Sequence, residues 1–400
     1  MLEALKQESS SLGKAAWRPM LRYAAELHER ATHPPAGPLR EVWEDTGPGY
    51  CYGPAFGHWD IVHAVLDVLP AEPDHARRQI RNALALQRED GMLPAIVWFR
   101  PEGVRTEYEQ SHPPVWPAAV DAWTEATGSQ ELLETALEAA SRQLVWFGAH
   151  RRAPDGGFYY QDITTGRWES GVDEGVRFEA RPAEPFALAD STSHVWLLAD
   201  AAARWAQALG RDGRLFAEKA EAIAAFIRDR LFDEETGFFR DAAAVGRADA
   251  APLGFEGMWP LAVGAAAEDQ AARAIEENLL APERFFTAHP IATVARSDPR
   301  FDLRMWRGPA WNSMTHWAAR GCVRYGRPDA ARRLLEAALD ASAREFRRTG
   351  TIWEFYHPDG GRPEDLERKP GRPQKGPSRD YLGHNPLLAM ARLWRATAKE

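Results

Sequence analysis

The chain of 400 residues is short of cysteine: two, Cys51 and Cys322. Two thiols cannot build a disulfide framework, and the expectation is a pair of reduced side chains. No run approaches the roughly 20 apolar residues that a membrane span needs. The first residues, MLEALKQESSSLGKAAW, scatter charges where a secretory signal would be apolar. Basic residues do not dominate: 49 Lys and Arg stand against 58 Asp and Glu, a formal charge of −9. That balance argues against nucleic acid as a partner. The expectation is a cytoplasmic protein with no membrane attachment, acting on a small molecule.

Several chemistries are also missing. There is no G-x-G-x-x-G and no phosphate-binding G-x-x-x-x-G-K-[ST]. No G-x-S-x-G nucleophile elbow occurs, and neither H-E-x-x-H nor a C-x-x-C pair. The twelve histidines show no metal-ligand spacing, so no metal and no cofactor is expected. Strand signals are few. GMLPAIVWF (91–99) and GGFYYQDI (156–163) are the best, each read as a short hairpin piece in a long loop.

What is present is helical periodicity and tryptophan. Apolar residues recur three and four apart over 15–31, 56–69, 75–89, 115–127, 130–150 and 185–210, and again over 214–232, 258–266, 268–280, 309–326, 328–349 and 385–399. Twelve helices in six pairs, with no low-complexity linker, predict an all-α (α/α)6 toroid barrel. It would form one catalytic domain over 1–400, with long loops gathered at one end. A stack of helical repeats would need a repeat of fixed length, and these pairs differ in length and motif. The sixteen tryptophans fit a protein that stacks flat apolar surfaces such as sugar faces.

The unusual residues fall in the loops between pairs. WESGVDEGVRF (168–178) sets Asp173 between Gly171 and Gly175. By composition alone a turn role is the commoner reading for such an aspartate. TIWEFYHPDGG (351–361) sets Glu354 between Trp353 and Phe355, and glutamate is rarely buried unless paired or used. Glu364 and Glu367, farther along, look solvated. Carboxylates in aromatic loops are the inventory that glycoside hydrolysis needs.

These segments resemble a known group. WESGVDEGVRF is similar to the E-S-G-x-D-x-x-x-R-F/W signature of glycoside hydrolase family 63 and the related trehalases, with mannosylglycerate and glucosylglycerate hydrolases the most similar branch. MWRGPAWN (305–312) resembles W-R-G-P-x-W, HWDIVHAV (58–65) resembles W-D-x-x-F/W-A, and QREDGMLPAIV (87–97) resembles Q-x-x-D-G-x-x-P-H. The motifs occur in family order. The resemblance implies an inverting α-glycosidase without cofactor, with Asp173 as general acid and Glu354 as general base. It also implies that Trp59, Asp60, Gln87, His112, Trp168, Gly171 and Trp311 contact the sugar. Arg307 would pair with a catalytic or orienting carboxylate, or serve as a structural salt bridge. Two departures touch sugar identity: Ala95 replaces the family histidine, and His112 replaces the glutamine of Q-P-P. A glycerate-type substrate needs a cation, for which Arg177, Arg304, Arg307 and Arg379 are candidates. Two other readings remain open on this evidence: an N-acylglucosamine-type epimerase using paired histidines among His112, His316, His357 and His384, or a non-catalytic sugar-binding barrel.

Overall fold

The computed structural model describes residues 2–179, 182–247 and 249–398. Among them are fourteen α-helices: α1 (Glu3–Ser9), α2 (Arg18–Arg30), α3 (Asp60–Val68), α4 (Pro73–Ala85), α5 (Pro117–Thr127), α6 (Leu133–His150), α7 (Asp162–Thr165), α8 (Ala189–Ala208), α9 (Arg214–Phe226), α10 (Trp259–Val263), α11 (Glu268–Arg273), α12 (Asn312–Arg324), α13 (Pro328–Thr349) and α14 (Leu387–Ala396). Each of the twelve expected helices is present. Two, α9 and α11, continue into π-helical turns at Ile227–Leu231 and Ala274–Leu279. Residue 399 of the last expected helix lies outside the described residues.

The arrangement follows from which helices are buried all round. All nine residues of α3 and all five of α10 are buried. Such helices cannot face water on any side. They belong to a closed inner ring, in which α3 packs on α5, α5 on α8, α8 on α10, α10 on α12, α12 on α14 and α14 back on α3. Outer helices cover the ring: α4 packs on α3, α6 on α8, α9 on α8 and α13 on α12. The α13 helix shows why. Leu334, Leu335, Ala338 and Leu339 form a buried stripe, while Arg332, Glu336 and Asp340 occupy the other face. The fold is therefore the (α/α)6 toroid.

The loops entering the inner helices carry the irregular structure. Two of them, before α3 and before α5, together form a three-stranded antiparallel sheet of Ala55–Gly57, Ile96–Arg100 and Gly103–Glu107. The expected strand over 91–99 is real but begins at Ile96. The second expected strand, 156–163, is not formed. Phe158 makes only an isolated bridge with Arg152, and Asp162 opens α7. Aromatic content made this stretch strand-like. Asp162 instead accepts hydrogen bonds from Ser170 Oγ (2.8 Å) and its backbone N–H (2.9 Å), which turns the chain into a helical corner.

Candidate active site

A cavity of about 270 Å³ opens where the loops converge on the N-terminal ends of the inner helices. Asp173, Glu354, Trp59, Asp60, His112, Trp168, Gly171 and Trp311 all line it. Eight of the ten residues singled out by sequence thus come together from five segments of the chain.

The floor is aromatic. Trp306 and Trp311 lie face to face, 3.8 Å between centroids and 4° from parallel, and Trp59 stacks on Trp306 at 5.8 Å. His384 meets the edges of all three. One wall comes from the sheet, where Ile96, Trp98 and Arg100 share a face because strand side chains alternate.

Gly171 is a glycine for two reasons. Its φ is +72°, and a Cβ there would lie 2.3 Å from the Trp59 ring. We expect Gly171→Ala to displace Trp59 and lower kcat/KM at least tenfold with an unchanged far-UV circular dichroism spectrum. Wild-type turnover would show that this packing is dispensable.

Asp173 sits on a loop held from below. Glu169, fully buried, accepts from Arg151 (2.7 and 2.9 Å), from the Ser111 N–H (3.1 Å) and from the Gln161 N–H (2.8 Å). Glu174, next to Asp173, takes a positive φ of 61°, a strained conformation for a non-glycine residue. The carbonyl of Glu174 accepts from Arg307 Nε at 2.8 Å, and Arg307 also pairs with Glu179. Arg307 therefore lines a neighbouring surface cavity and holds the Asp173 loop from outside. Arg307 thus makes the structural salt bridge that was one of its two expected roles, and it lies outside the cavity, away from any substrate contact. The sugar contact expected of Gln87 is corrected. Its amide donates to the carbonyls of Gly91 (2.9 Å) and Ala139 (2.8 Å), bracing a turn outside the cavity. The motif match located the turn, not a ligand contact.

Glu354 is 2% exposed, sewn between Ala310–Tyr356 and Trp353–Arg379 bridges. Arg368 grips both of its oxygens (3.0 and 2.6 Å), and the Ser378 N–H donates to it at 2.9 Å. Burial alone would raise its pKa, but the Arg368 guanidinium and Ser378 more than offset this and hold it below the usual glutamate value. Asp173 is paired differently: the Lys369 ammonium contacts Oδ2, while Oδ1 is buried without a partner. The aromatic surroundings expected for Asp173 are thus joined by a cation.

Asp60, on the first turn of α3, accepts from Tyr381 Oη at 2.8 Å. Burial pushes its pKa up to about 6; the Tyr381 bond pulls the other way. A folded value above the unfolded one means that stability is fully present below about pH 4 and declines as pH rises through about 6. We expect Asp60→Asn to gain on the order of 2 kcal/mol at pH 8 by urea unfolding, shrinking towards zero near pH 4, while kcat/KM falls. A gain over wild type no larger at pH 8 than at pH 4 would contradict this. His112 is buried and its pKa is lowered to about 3, first by burial and then by His58. Neither ring nitrogen has a partner, and the same holds for the Trp59 indole N–H.

Sequence reasoning missed the strap 366–372. Arg368, Lys369 and Arg372 line the cavity, as do Arg100, Trp98 and Tyr381. A signal existed: a buried glutamate requires a cation, and ERKPGR follows it by a dozen residues. The four arginines proposed for a glycerate group lie elsewhere. Arg177 is buried among Asp190, Asp241 and Glu256, and Arg379 stacks on Trp353. Arg304 bridges to the strap backbone, and Arg307 holds the Asp173 loop as above. Glu364 and Glu367 are exposed, as expected. Among the described residues no cluster of three or more His, Cys, Asp or Glu is placed as metal ligands would be, and no helix is long and apolar enough to cross a membrane.

The model of the mannosylglycerate hydrolase MGH1-like glycoside hydrolase domain matches residues 54–382. The chain belongs to this family. The hydrolase is 24% identical to mannosylglycerate hydrolase of Rubrobacter radiotolerans, over 80% of this chain and 89% of that one. It is 24% identical to mannosylglycerate hydrolase MGH1 of Selaginella moellendorffii, over 75% of each. The structure of family 63 mannosylglycerate hydrolase from Thermus thermophilus in complex with glucose superposes with a TM-score of 0.67 at 21% identity, covering 93% of this chain and 99% of that one. Neutral trehalase Nth1 from Saccharomyces cerevisiae gives 0.62 at 17% identity, over 85% and 73%. These likenesses carry the shared fold. Family membership makes the protein a glycoside hydrolase, which leaves no place for the epimerase or the non-catalytic barrel. Of the four histidines that the epimerase reading needed, only His112 and His384 line the cavity.

Proposed function

We propose that the hydrolase is an inverting α-glycosidase that releases glucose or mannose from a small α-linked glycoside, with Asp173 as general acid and Glu354 as general base. The observation that carries this reading is the unequal setting of two carboxyls on one cavity. Glu354 is held ionised by Arg368, as a base must be. Asp173 lines the same cavity, with one oxygen against the movable Lys369 ammonium and the other buried without a partner. In the step, Asp173 gives its proton to the glycosidic oxygen as the bond to the anomeric carbon breaks. Water attacks that carbon from the other face, and its proton passes to Glu354.

The tryptophan floor suits the apolar face of a sugar ring. The partnerless nitrogens of His112 and Trp59 and the Asp60 carboxylate would bind its hydroxyls in this reading. A cavity of about 270 Å³ fits one sugar with a small aglycone. Among the described residues Arg100 and Arg372 line it with no carboxylate partner, which favours an acidic aglycone such as glycerate, the group in the relatives' names.

The test is stereochemical. Two carboxyls about 5 Å apart make a retaining enzyme, and about 6.5–9.5 Å leaves room for water and inversion. Proton NMR in the first minutes of hydrolysis of an α-mannosyl or α-glucosyl glycerate should show the β-anomer first. An initial α-anomer, ahead of mutarotation, would remove Glu354 from the role of base.

A further inference from the structure

We propose that Lys369 is a latch on Asp173: it pairs with the carboxylate in the free enzyme and is drawn off by the negative charge of the aglycone, which frees Asp173 to take up the proton it must donate. This rests on the glycosidase reading above.

The argument begins with two adjacent residues of one strap. The strap is tied to segment 303–305: the Glu367 N–H donates to the Leu303 carbonyl (3.0 Å), and the Met305 N–H to the Glu367 carbonyl (3.0 Å). From it Arg368 reaches Glu354 and Lys369 reaches Asp173. Consecutive side chains of an extended segment diverge, so one dipeptide can serve both carboxyls.

The two cations are held very differently. Arg368 is 2% exposed and makes two bonds to Glu354 and one to Tyr52 Oη at 2.8 Å. A planar fork on a carboxylate is a fixed pairing. Lys369 is a compact charge on a flexible stem, its side chain 18% exposed, with Asp173 as its single ion-pair partner among the described residues. The Tyr52 ring lies 5.7 Å from it, near enough to rest against when it moves.

The charges then sort by task. A base must be ionised, and a permanent arginine suits it. An acid must be protonated, and an ammonium in contact favours the wrong form. The free enzyme is therefore paired for rest. An aglycone carboxylate beside the leaving oxygen competes for Lys369. The ammonium keeps its proton and pairs with the substrate, and Asp173 takes a proton from solvent. The titratable and charged groups that share the cavity with Asp173 are Asp60, Tyr50, Tyr52, Arg100, His112, Tyr381, His384 and Glu354, the last still neutralised by Arg368. From the outer side they are Arg372, with Glu174, Glu179 and Arg307 bound among themselves. The Lys369 pKa is consistent with this: burial lowers it, and Asp173 and Tyr52 raise it by more.

The test reads the Asp173 proton itself, so it does not depend on turnover. The full-length protein is labelled with carboxyl-¹³C aspartate, the Asp173 resonance is assigned with Asp173→Asn, and its titration midpoint is followed by NMR. Saturating D-glycerate should raise the midpoint by a unit or more, and glycerol should leave it in place. Lys369→Met should show the raised midpoint without any ligand. Lys369→Arg keeps the charge and should keep the unliganded midpoint. A midpoint unmoved by D-glycerate, or the same in Lys369→Met and the unliganded wild type, overturns the latch. Failure to hydrolyse any glycerate glycoside would instead count against the proposed substrate, and the NMR result would stand apart from it.

Discussion

Glu354→Gln is expected to lower kcat by about a thousandfold or more, since a general base commonly supplies 10²–10⁴. The substitution keeps the shape of the side chain and one acceptor for Arg368. It removes the charge that draws the proton from water. It also leaves the buried Arg368 guanidinium, 2% exposed, without a counter-charge. Removing one partner of a buried pair destabilises by roughly 3–5 kcal/mol, and the amide oxygen should keep the loss at the low end. Activity and stability must therefore be measured together. Urea unfolding and single-substrate kinetics on the same preparation separate them. A folded variant with near-normal turnover would exclude Glu354 from the mechanism.

Asp173→Asn should lose a comparable factor, about 10³, on substrates whose leaving group needs a proton. Its signature is dependence on the leaving group. A glycosyl fluoride or dinitrophenyl glycoside departs without protonation, so on these the loss should shrink to roughly tenfold. The fold should hold, because Asp173 anchors no structural network: Lys369 is its only ion-pair partner among the described residues. An equal loss on both substrate types would make Asp173 a binding or structural residue.

Much of the architecture was legible as periodicity. The twelve helices needed only apolar residues at three- and four-residue spacing, although the inner helices α8 and α12 also bury polar residues such as Asp190, His194, Asn312 and His316. The strand expected over 156–163 failed because local aromatic content cannot register a tertiary contact. The bonds between Asp162 and Ser170 overrode it. The substrate contact expected of Gln87 failed for a related reason. A motif places a residue in a loop and leaves open which way it points. Gln87 turns to Gly91 and Ala139, and Arg307 turns to the far side of the Asp173 loop.

Sequence alone determined the helix content and the loops that carry the carboxylates, because each depends on spacing along the chain or on residue type. It also placed Asp173 and Glu354 as a pair through motif order. Only the tertiary structure decided their charge partners. Arg368 and Lys369 are neighbours in sequence, yet one is locked beneath Glu354 and the other rests on Asp173 at the cavity rim. That assignment depends on how the strap crosses the toroid. It depends as well on how deeply each carboxyl is withdrawn from water, since the energy of a charge is set by what surrounds it in space.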